Sequence, residues 1–161
     1  MANPLSASTV STSVAVLAIT VTQPDGNTAT LTIKSLATMP PVITNRDCPI
    51  LYPKFTYRTA YKEDRASMGT GANAFWESTY DLNYFFAYAQ VGAGRYSVEH
   101  NSKIADNAQA IANGIAVAWD SLGVVNVEVE VSDPTLVPGP DDKQFYGAEI
   151  TLHVKDWRNA G

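Results

Sequence analysis

Between Trp76 and Tyr88 the chain alternates: Trp76, Tyr80, Leu82, Tyr84, Phe86 and Tyr88 fall on one parity, and Glu77, Thr79, Asp81 and Asn83 on the other. Successive side chains of a β-strand point to opposite faces, so this period of two dictates a long strand with one face turned to a core. Such a strand cannot stand alone. It needs a neighbouring strand for its backbone and a second layer for its aromatic face.

The neighbour is expected just before it, where Phe55, Tyr57, Thr59 and Tyr61 alternate with Thr56, Arg58, Ala60 and Lys62. Residues 62–74, polar and carrying Gly69 and Gly71, then read as the projecting loop of a hairpin. Ala29, Leu31 and Ile33, the series Val125, Val127, Val129 and Val131, and the series Tyr146, Ala148, Ile150, Leu152 and Val154 show the same alternation and predict further strands. Pro24-Asp25-Gly26-Asn27 is a turn, because Pro presets φ and Gly or Asn accepts a positive one.

The covering layer is also legible. Ile104, Ala108, Ile111, Ile115, Trp119 and Leu122 recur at steps of three and four, with Lys103, Asp106, Asn107, Gln109 and Asp120 off the stripe and Gly123 as a stop. That spacing predicts a helix over about 101–122. Within residues 6–22, Val10, Val14, Leu17 and Val21 form a second helical stripe, although the many Val and Thr residues leave a strand open. The expected fold is α+β: an antiparallel sheet of four or five strands, with the 101–122 helix and an N-terminal helix on one face. A length of 161 residues suits one domain, 1–161, with flexible ends at 1–5 and 158–161.

Two stretches resist the pattern. Residues 36–53 hold Pro40, Pro41, Pro49 and Pro53, which remove backbone donors, yet also Met39, Ile43, Ile50, Leu51 and Tyr52. An extended segment that pins itself across the domain, or docks on a neighbouring subunit, satisfies both facts. Residues 133–145 read as a Pro-rich projecting loop with Leu136 and Val137 in the open. Phe75 and Phe85 fall on the otherwise polar parity of the long strand, where an apolar ring is better explained by a protein partner than by water. A protein interface is therefore expected at Pro40, Ile43, Ile50, Tyr52, Met68, Phe75 and Phe85.

Chemistry is sparse in the sequence. No phosphate loop, nucleophile elbow, zinc-binding helix pair or dinucleotide fingerprint is present. Cys48 is the single cysteine, which excludes an internal disulfide and a multi-thiolate metal site. His100 and His153 have no sequence-local partners, and Glu128 with Glu130 reads as two carboxylates on a solvated face. No catalytic residue, metal or cofactor is expected. Eleven Lys and Arg against 16 Asp and Glu give a net charge of −5, the wrong sign for a protein whose main work is neutralising phosphates. The longest apolar run, 14–19, is far shorter than the roughly 20 residues that span a bilayer, and no Lys or Arg precedes Lys34. A soluble cytoplasmic product with no membrane partner is the expectation.

Taken in order, the first helix, the strand DGNTATLTIKSL, the segment MPPVITNRDCPILYPKF, the aromatic hairpin, the helix IADNAQAIANGIAVAWDSL and the closing strand FYGAEITLHVKDW resemble a tail terminator, or tail completion, protein of long-tailed bacteriophages. The resemblance implies a virion protein of the tail and neck, assembled in the host cytoplasm. Its subunits would form a homo-oligomeric, hexameric ring that caps the tail tube, ends its polymerisation and joins tail to head. The implied partners are further copies of the chain, the tail tube protein and a head-closure or connector protein, with DNA passing through the lumen without specific binding. Another phage structural role, as head-closure, tail tube or capsid decoration subunit, is the alternative.

Overall fold

The computed structural model describes residues 7–54, 63–68, 75–92, 98–122 and 126–159. In chain order its elements are α1 (Ala7–Ala15), β1 (Thr20–Thr22), β2 (Thr28–Thr30), β3 (Thr32–Ile33), β4 (Ile50–Pro53), β5 (Glu63–Met68), β6 (Phe75–Gln90), α2 (Val98–Val117), β7 (Asn126–Val131), β8 (Thr135–Pro138) and β9 (Gln144–Asn159). Short 3-10 turns lie at Asn45–Asp47 and Trp119–Leu122.

The strand predicted from the aromatic alternation is β6, and its main partner is the last strand of the chain. β6 and β9, 16 residues each, run antiparallel from Phe75↔Asn159 to Gln90↔Phe145. Each carries two short strands end to end on its outer side. β5 and β4 flank the start and end of β6, while β8 and β7 flank β9. β3 adds to β4 in parallel, so among the described residues this sheet is mixed and has seven strands, rather than antiparallel with four or five. The α+β class stands. The expected partner strand at 55–61 lies outside the described residues, and the strand that pairs with the start of β6 is Glu63–Met68, inside the stretch expected to be a loop.

The long helix begins at Val98 and ends at Val117. Its stripe of Ile104, Ala108, Ile111 and Ile115 is buried against Tyr80, Leu82, Tyr84, Phe86 and Tyr88 of β6 and Ala148, Ile150, Leu152 and Val154 of β9. Asn107, expected off the stripe, is buried too: its amide donates to the Thr22 carbonyl at 2.7 Å and its Oδ1 accepts from the Thr22 N–H at 2.9 Å. One carboxamide thus completes the backbone pairing of β1.

The ambiguous N-terminal stretch resolves into both alternatives. Val10 and Val14 pack from α1, the helix stops at Ala15, and the β-branched run that follows supplies β1, which forms an antiparallel hairpin with β2 around Gly26 at φ +88°.

On the opposite face a second apolar cluster joins Ile43, Ile50, Tyr52, Phe85, Ala87, Val137 and Phe145, with Met39 and Cys48 against it. The proline-rich segment lies over this end of the sheet, and its last part is strand β4. Prolines at 49 and 53 bracket that strand instead of preventing it, and the Cys48–Pro49 peptide is cis. Residues 133–145, expected to project, form the β8–β9 hairpin, in which Val137 is fully buried and Leu136 is exposed. Between Ala87 and Ala89 the β6–β9 register shifts, which leaves Tyr88 as an extra residue. The strands approach so closely there that a Cβ on Gly147 would run into the Phe86 carbonyl oxygen.

Candidate functional site

Beyond the second cluster the same sheet face turns polar, because the period of two now places hydrophilic residues on it. Strand order brings them into rungs: Asn83, Thr151 and Glu130; Asp81, His153 and Glu128; Thr79, Lys155 and Asn126. Thr79, Asp81, Asn126, Glu128, His153 and Lys155 line an open depression of about 480 Å³. Lys54 spans the change from apolar cluster to polar face, with its Nζ 2.9 Å from Glu149 and 5.1 Å from the centre of the Phe85 ring.

His153 is the centre of this surface. Its Nδ1 lies 2.6 Å from Asp81 Oδ1 and its Nε2 lies 3.0 Å from Glu130 Oε2, so one imidazole on β9 links β6 to β7. Thr151 donates to Asn83 Oδ1 at 3.1 Å in the next rung. Two carboxylates can only accept, so both contacts are hydrogen bonds only when both ring nitrogens carry protons. The bonds to Glu130 and Asp81 accordingly raise the His153 pKa above that of an ordinary histidine. An imidazole held at both nitrogens is a cross-strand tie and not a poised general base.

Sequence reasoning placed Asp81, Glu130 and His153 each on a polar strand face but gave the histidine no partner. The structure brings its partners from distant positions on two other strands. The missing information was the order β6–β9–β7, which joins residues 72 and 23 positions apart.

The other chemically suggestive groups are dispersed. His100, on α2, meets the Tyr88 ring edge-on at 5.7 Å. Cys48 packs beside the second cluster, its thiol pushed up to about 12 by burial and then by the Asp47 carboxylate, which makes it a poor nucleophile. Among the described residues, no group of three or more His, Cys, Asp or Glu side chains could hold a metal ion, and no helix is long and apolar enough to cross a membrane.

The residues expected at a protein interface divide between two places. Ile43, Ile50, Tyr52 and Phe85 meet in the second cluster inside the subunit, with Pro40 half-buried. The Tyr52 hydroxyl donates to the Pro138 carbonyl at 2.9 Å, and its ring lies 5.8 Å from that of Phe85. The expectation that Phe85 lacks a partner in its own chain is therefore corrected: the proline-rich segment covers it. Met68 and Phe75 lie directly opposite each other in the β5–β6 register, at the far end of the sheet. Compared with known protein families and with curated proteins, the chain finds no match.

Proposed function

We propose that the chain is a structural protein of a bacteriophage tail or neck, whose copies close into a ring on the end of the tail tube, end its polymerisation and join tail to head. The observation that carries this reading is the far end of the sheet. A strand of 16 residues reaches roughly 53 Å at the usual rise, whereas the 20 residues of α2 reach about 30 Å. The long pair is therefore longer than the helix that packs on it. Among the described residues the sheet at that end is β5–β6–β9: β5 pairs with β6 and Asp156–Asn159 pair with β6, so both outer edges carry backbone groups with no partner there.

Free edges on opposite sides of one sheet suit a heterologous contact, in which β5 of one copy meets the end of β9 in the next. Repeated by rotation, such a contact closes a ring. The acidic balance, −5, favours a lumen that repels phosphate and lets a duplex slide without specific binding. Electron microscopy of the purified protein tests the ring, and the lysate of a phage deleted for the gene tests the role. Closed rings and overlong tails of variable length are expected. Monomers at high concentration overturn the ring, and tails of normal length overturn the terminator reading in favour of a tube, closure or decoration subunit.

A further inference from the structure

We propose that His153 is a pH-operated clip that ties strand β7 across β9 to β6, and that loss of its proton releases β7. The geometry supplies both states. Protonated, the ring donates to Asp81 at 2.6 Å and to Glu130 at 3.0 Å. Neutral, it has one donor and one lone pair, and the lone pair must then face a carboxylate oxygen. One tie is lost, and the longer one, to the more exposed Glu130, is the one to give way.

The surrounding charges work in the same direction. Asp81 faces the ring from β6, Glu128 stands directly opposite it on β7 with Glu130 one rung along, and Lys155 is the next residue on its own face of β9. With the imidazolium in place, three carboxylates meet two cations; without it, they meet one. Repulsion then falls on β7, whose residues pair only with β9 among the described strands. α1 and α2 pack on the other face of the sheet.

The sign follows from the direction of the shift. The tie raises the proton affinity of the folded state, so its contribution is fully present below the ordinary histidine value of about 6.5 and is lost as pH rises through the higher folded value. With His153 40% exposed, the effect is that of a solvent-screened pair.

NMR titration of the full chain and amide-exchange protection factors of 126–131 across the same pH range test the clip. A His153 midpoint above the ordinary value is expected, with protection of β7 falling about 2- to 5-fold through it while α2 stays constant. Glu130→Gln should lower the midpoint, and His153→Gln should abolish the step in β7. An ordinary midpoint, or the same pH profile of β7 protection in parent and His153→Gln, overturns the proposal. A global change that includes α2 also overturns it, because the release would then not be local.

Discussion

At the scale of single residues, the sheet is held in register by a position that contributes no side chain at all. Gly147 sits where the β6–β9 ladder shifts register, opposite Ala87, and backbone occupies the space that any Cβ would need. Neither strand can yield easily, since Phe86, Ala87, Ala148 and Phe145 around it are all fully buried. Gly147→Ala should therefore destabilise the subunit by about 2 to 3 kcal/mol, as overpacking of a close-packed interior does. Urea unfolding measures it, and a midpoint equal to the parent's would mean that the strands separate more readily than their packing implies. This glycine was not legible as special, because its sequence context, Phe145-Tyr146-Gly147-Ala148, reads as plain strand. The same limit hid the partners of His153 and Asn107. Alternation tells which face a polar residue takes, while its partner depends on which strand or turn arrives next to it.

At the scale of elements, what could be read was what repeats locally. The alternation of β6 and β9 and the three-four spacing of α2 are intrinsic to those segments, so their existence and inward faces follow from the sequence. Ends and hand-overs do not. The stripe of α2 extrapolates through Trp119, but Ala118 N–H already bonds the Ile115 carbonyl at 3.2 Å and the chain tightens into a 3-10 turn. The phase changes there, turning Leu122 fully inward and leaving Trp119 48% exposed. Trp119→Ala, which a core position would make a loss of about 3 to 5 kcal/mol, should instead cost about 1 kcal/mol. Ile111→Ala, on the fully buried part of the stripe, should cost about 3 kcal/mol or more. Thermal melts of the two variants rank them, and a Trp119 variant that melts as low as the Ile111 variant would show that the turn anchors the helix. The strand β4 was obscured for a related reason. Prolines forbid a long ladder, yet the four residues Ile50–Pro53 suffice to pair with β6 on one side and to accept the two residues of β3 on the other.

At the scale of the whole molecule, the sheet has two ends with opposite economies of surface. One end is covered on both faces, by the helices and by the proline-rich segment; at the other, β5–β6–β9 continue with two free edges among the described residues. The two phenylalanines on the polar parity of β6 fall one at each end. Their shared parity suggested a shared role, and their positions along the strand separate them. Phe85 belongs to the subunit interior, so Phe85→Ala should cost about 3 kcal/mol of stability before any assembly is considered. Phe75, at the other end, lies on the middle strand opposite Met68 of β5, and it is β5 whose outer edge makes the proposed contact between copies. A charged residue on an edge strand opposes its pairing with another strand. Met68→Asp should therefore melt with the parent, fail to form the expected rings, and yield unjoined heads and tails in a lysate. If Met68→Asp instead unfolds the subunit, this end of the sheet is part of its core and the free-edge argument fails. If it forms normal rings and virions, copies meet elsewhere, and the ring must be built from a surface other than the outer edges of β5 and β9.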